Sequence, residues 1–144
     1  MKLGNKLTSL RVSKRLKELG VPQESEHFWI RDKDGLGWGV FATDIATDLG
    51  VENCSAFDVA ELGERLPFRQ KYLGTTNDAL LISMKFTHLE GLDKRVSSYL
   101  CGYFDEDVGY PPMCMKIEFM ADTEAEARGQ LLIWLIENKH HVPN

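Results

Sequence analysis

The residues able to do chemistry are few and scattered along the sequence. Nucleophilic catalysis needs a cysteine or serine beside a histidine. Cys54, Cys101 and Cys114 with His27 and His88 supply the types but no local signature. The least unsuitable catalytic set is Tyr99, Cys101, Tyr103 and His88, near a long loop of the second half. Asp32, Asp34 and Gly35 match the start of a calcium loop, yet Thr43 stands at the twelfth position, where the bidentate glutamate is missing, so a turn is expected. His140-His141 are adjacent and point about 100° apart on a helix, which suits a polar helix end better than a metal site. Asp105-Glu106-Asp107 reads as a solvated loop. The sequence has no C-x-x-C, no H-E-x-x-H and no G-x-x-x-x-G-K. Gly35-Leu36-Gly37-Trp38-Gly39 opens a strand, and so lacks the helix N-terminus that receives a pyrophosphate. No catalytic residue, metal site or cofactor follows from these patterns, and an enzyme is not the expected reading.

Charge is distributed more tellingly. Of 17 basic residues, Lys2, Lys6, Arg11, Lys14, Arg15 and Lys17 fall in the first 17 positions, where there is no acid. The remainder holds all 22 acids and nets −11, against −5 for the whole chain. Such an opening can meet nucleic acid, and Arg11, Lys14, Arg15 and Lys17 would make the contact. The simpler reading is a solvated helix face attracted to an acidic body. Val12 to Val21 also has the look of the first helix and turn of a helix-turn-helix reader. The following Pro22-Gln23-Glu24-Ser25-Glu26-His27 carries two acids and no base, which is a poor recognition surface for phosphates.

Positioning any of these residues requires a folded frame, and the patterning describes one. At 144 residues and 43% hydrophobic content, the chain suits a single domain over 1–144. Thr8 or Ser9 can cap a helix ending near Leu19, with Gly20 as its left-handed stop. Phe28–Arg31 and Trp38–Phe41 flank an Asp-Gly turn, which predicts a hairpin. A second helix is expected from Ser55 to Leu66, stopped by Pro67. Leu80, Ile82, Met84 and Phe86 alternate with Leu81, Ser83, Lys85 and Thr87, as a half-buried strand does. Strands over 96–104 and around 113–119 complete a meander, and Thr123 with Glu126 opens a last helix to about Asn138. The result is an α+β domain, an antiparallel sheet (hairpin plus three-stranded meander) with about three helices, in the order α-ββ-α-βββ-α.

The last helix is apolar all round from Leu131 to Ile136. One face on a sheet would bury about half of these side chains. With Leu132 and Ile136 towards the sheet, Leu131 and Trp134 would face out and be covered by a second copy. A homodimer with Leu131 and Trp134 at its interface is therefore expected. A central helix, or cover by the hairpin of residues 28–41, is the alternative. The six-residue run is far shorter than the roughly 20 residues of a membrane span. Lys2 and Lys6 precede no apolar stretch, so no secretory signal is expected, and the three scattered cysteines suit a reducing cytoplasm.

Three segments carry a resemblance: Leu16–Val21, Ser55–Pro67 and Ala121–Arg128 are similar to small uncharacterised proteins encoded by bacteriophages and prophage regions. The resemblance implies a mobile-element origin and a bacterial host cytoplasm, and it implies no activity, cofactor or site residue. Together these readings lead to a non-catalytic accessory protein that works through contacts with host or phage proteins. Nucleic-acid binding by the basic helix is the second reading.

Overall fold

A computed structural model describes residues 6–32, 37–42, 52–67, 69–71, 78–105 and 115–140. Among these residues, three helices and seven strands follow in chain order: α1 (Leu10–Glu18), β1 (His27–Arg31), β2 (Trp38–Ala42), β3 (Asn53–Ser55), α2 (Val59–Arg65), β4 (Arg69–Lys71), β5 (Asp78–Glu90), β6 (Lys94–Phe104), β7 (Met115–Ala121) and α3 (Glu124–Glu137). The α+β class and the order helix, hairpin, helix, meander, helix hold. Two three-residue strands, β3 and β4, are added. Each extends its neighbour by one edge, giving separate antiparallel sheets ordered β2-β1-β3 and β4-β5-β6-β7.

Helix α1 begins where Ser9 accepts a hydrogen bond from the Val12 N–H and ends in a tight reversal at Gly20. Gly20 has φ +82°, where a side chain would be strained, and the Val21 N–H reaches back to the Leu16 carbonyl at 3.0 Å. Both of those residues are buried in the core. The chain that follows is extended and enters β1, so residues 22–31 form no recognition helix. Helix α2 starts three residues later than its sequence suggests. Asp58, not Ser55, is the N-cap, and its capping box closes with Glu61. Ser55 instead belongs to β3, where Ala56 donates to the His27 carbonyl and draws the chain onto the hairpin.

The meander faces the helices with the opposite side from the one its alternation suggests. Ser83 pairs with Cys101 and Leu81 with Tyr103, and Cys101 and Tyr103 belong to the helix-packed core. The Ser83 hydroxyl donates to Glu124 of α3 at 2.8 Å, so Leu81 and Ser83 lie under the helices, and Lys85 continues the same face, exposed, beside Tyr99. Ile82, Met84 and Phe86 lie on the other face. In β7 an extra residue at Lys116 forms a bulge, because Tyr103 pairs with Ile117 while Phe104 pairs with Met115. Ile117 and Phe119 therefore reach the helix side.

Helix α3 is covered on three sides. It packs across β6 and β7, with α2 on one flank and α1 on another. Gly129 is the point of closest approach to α1, where an added Cβ would stand 2.6 Å from Val12 Cγ1 and 3.1 Å from Thr8 Cγ2. This corrects the expectation for Leu131, which is fully buried along with Leu132 and Leu135 and has no outward face. A helix wheel with one buried side leaves Leu131 outward, and the short α1 supplies a second buried side. Among the described residues, none from the hairpin lines the groove at Trp134. The hairpin sits against α1, with Trp29 Nε1 donating to the Thr8 carbonyl at 2.9 Å.

Candidate functional site

Two clasps tie α1 to α3, and between them the helices leave a groove. At the N-terminal ends the Glu126 carboxylate accepts from the Ser9 N–H at 3.0 Å and from the Ser9 hydroxyl at 2.9 Å. Glu126 thus stabilises the start of α1, while its own N–H is received by Thr123. At the C-terminal ends Arg15 donates to Glu137 through Nε and Nη2 at 3.0 and 2.6 Å, and through Nη1 to Glu18. The bonds to Glu137 and then to Glu18 raise the Arg15 pKa further above its ordinary value. Both clasps join like ends, so the helices run parallel.

The groove between them has a volume of 610 Å³. Val12, Phe119 and Ile133 form its apolar floor, Trp134 a wall, and Arg11, Lys14, Arg15, Glu18, Gln130 and Glu137 its rim. Phe119 comes from β7, the edge strand of its sheet. The Trp134 indole is held by the turn that ends α3. Lys139 adopts φ +59°, the His140 N–H bonds back to Leu135 O at 2.8 Å, and the His140 ring stacks on the indole at 5.3 Å. Trp134 is therefore a fixed, half-buried wall of the groove.

Three of the four cations singled out in the sequence line this groove, and the fourth does not. Arg11 has an 81% exposed side chain and stands 3.7 Å from Glu126. The Lys14 ammonium lies 4.3 Å from the centre of the Trp38 ring, while Arg15 is committed to Glu137. Lys17 turns away and donates to the Asn53 carbonyl of β3. The positive face is thus divided between a groove rim and contacts that hold the hairpin. A sequence reader could find Trp134 and the cations separately. Their convergence needed the position of α1 on α3, for which Gly129 is the one local signal.

The residues with catalytic types do not assemble. Tyr99, Cys101 and Tyr103 share the helix side of β6, whereas His88 pairs with Val96 and belongs to the opposite face. Cys101 and Tyr103 are fully buried, and the Tyr103 hydroxyl donates to the Pro67 carbonyl at 2.6 Å. Burial pushes the Cys101 and Cys54 thiols up to about 11 each, chiefly by desolvating the thiolate. Cys114, Asp34, Gly35, Glu106, Asp107 and His141 lie outside the described residues. Asp32 closes the hairpin loop, its N–H donating to the Gly37 carbonyl at 2.8 Å. Among the described residues, no group of three or more His, Cys, Asp or Glu is placed to hold a metal ion. No described helix is long and apolar enough to cross a membrane. No protein-family model, curated protein or solved structure matches the chain.

Proposed function

We propose that this chain is a non-catalytic accessory protein of a bacteriophage or prophage, acting through protein contacts in the cytoplasm of its bacterial host. The observation that carries the reading is the groove between α1 and α3, with Trp134, Ile133 and Phe119 below a rim of Arg11 and Lys14. A rigid aromatic wall beside an apolar floor is the composition of a contact hot spot. Cations on one rim favour a partner segment carrying acids beside an apolar side chain. The test is a photo-crosslinking residue at Gln130, on the groove rim, in the full chain. Crosslinks to a protein that disappear when Arg11 and Ile133 are changed together support the reading. Crosslinks indifferent to those changes, or none in host and phage lysates, defeat it.

The second reading, nucleic-acid binding, draws support from the exposed Arg11 and from Lys14 on the same rim. Its affinity must fall steeply with salt, since each neutralised phosphate releases counterions. An Arg11→Ala, Lys14→Ala, Arg15→Ala variant should lose any shift of DNA or RNA seen at about 50 mM salt, where electrostatic binding is strong. An unchanged shift in that variant rules out this face.

A further inference from the structure

Strands β5 and β6 outreach their sheet. The last β6–β7 pair is Tyr99 with Ala121, and β4 pairs only as far as Leu80. Beyond Tyr99, among the described residues, β5 and β6 pair only with each other, through Glu90 and Lys94. Five residues at 3.4 Å each make an arm roughly 17 Å long. At its tip stand the two most exposed large apolar residues described, Leu89 at 64% and Leu92 at 97%. Gly91 turns the chain with φ +74°, so Leu92 and Asp93 are presented side by side at the apex. Glu90 is paired with Lys94 at 3.5 Å, which leaves Asp93 as the acid available to a partner. Any polar residue would serve at position 92 if the turn had only to reverse the chain. Two exposed leucines three positions apart, Leu89 on the strand and Leu92 in the turn, instead give the tip an apolar character.

We propose that the occupant of the α1–α3 groove is this tip from a second copy of the chain, Leu92 entering over Ile133 and Trp134 while Asp93 meets Arg11 and Lys14. The proposal rests on the protein-binding reading above and names its partner. The complementarity runs in three respects. An apolar apex meets an apolar floor, an acid beside that apex meets two cations, and a narrow protruding arm meets a groove open to solvent. The groove is lined by α1, α3 and Phe119 and by no residue of its own chain's arm. Reciprocal exchange would close a dimer, and one-way insertion would build a chain of copies. Both raise the mass above 16.4 kDa.

Sedimentation of the full chain over a micromolar to millimolar range decides the matter. The expected result is association that Leu92→Asp abolishes and that Arg11→Glu or Asp93→Arg weakens by more than about tenfold, as loss of a hot-spot contact does. The double variant Arg11→Glu, Asp93→Arg should recover it, because the charges are exchanged rather than removed. Leu92 and Asp93 are exposed at a turn, so their substitutions leave folding intact, which circular dichroism verifies. A wild type at 16.4 kDa throughout overturns the proposal, and so does association that Leu92→Asp leaves unchanged. The Gln130 crosslinker separates the two ideas. If it captures a different protein while the chain sediments as a monomer, the groove still binds protein and only the self-docking arm is refuted.

Discussion

Two glycines of similar appearance should respond oppositely to the same substitution. At Gly129 a methyl group would meet Val12 Cγ1 at 2.6 Å, and Val12 is a β-branched core residue on a helix with one preferred rotamer. Gly129→Ala should therefore cost about 1–3 kcal/mol by overpacking, less a helix-propensity gain of about 1 kcal/mol. At Gly63 the nearest atom is Arg128 Nη1 at 2.7 Å, the tip of a long side chain, and a methyl group would displace only its weakest bond, 3.5 Å to the Val59 carbonyl, by a small tilt of the guanidinium on Glu124. Gly63→Ala should be neutral or stabilising by up to about 1 kcal/mol. Urea unfolding of the two variants checks both signs. The buried thiols give a second residue-scale test. Folded Cys54 and Cys101 ionise at about 11, against 9.0 for an unperturbed thiol. Between those values the unfolded chain holds fewer protons, so stability is fully present below pH 9 and falls as pH rises through 11. In a Cys114→Ser chain at pH 8, a thiol reagent should label neither cysteine until urea is added.

At the scale of the element, helix ends carry much of the local order, and one of them is strained. Lys139 occupies a left-handed position that normally takes glycine, and it does so to bring His140 onto Trp134. Lys139→Gly should raise stability by about 0.5–1 kcal/mol while keeping the turn, as read by thermal unfolding. Glu126 caps α1 from α3, an arrangement that links the two elements instead of closing a box within one. Glu126→Ala leaves the Ser9 N–H and hydroxyl without their acceptor and should cost about 1–3 kcal/mol, whereas an ordinary surface glutamate costs about 0.5 or less. Glu126→Gln retains one acceptor and should fall between. Chemical unfolding of the three chains orders them.

The molecule as a whole separates into a packed body and a projecting arm. Replacing residues 88–96 by Asn-Gly would join Thr87 to Ser97, which are paired, through a two-residue turn. The arm's tip residues are exposed and belong to no core cluster, so the unfolding free energy should change by no more than about 0.5 kcal/mol. A larger loss would show that the arm helps to hold the body. The local elements were legible because their signals are local: Ser9 and Thr123 as caps, Gly20 as a helix stop, Pro67 as a barrier, and alternation along the strands. Which face of a strand lies inward was not. In β5 the regular apolar row Ile82, Met84, Phe86 points away from the helices, because pairing fixes Ser83 opposite Cys101 and one-residue register decides the face of every side chain. Leu131 was misplaced for a related reason, since a helical wheel counts apolar residues without knowing how many neighbours will cover them. The groove joins residues over 100 positions apart, and its existence depends on α1 packing at Gly129. Sequence alone determined the α+β class, the element order and the uneven charge. Only tertiary contact decided which cations and which tryptophan share a surface, because burial is a property of what arrives from elsewhere in the chain.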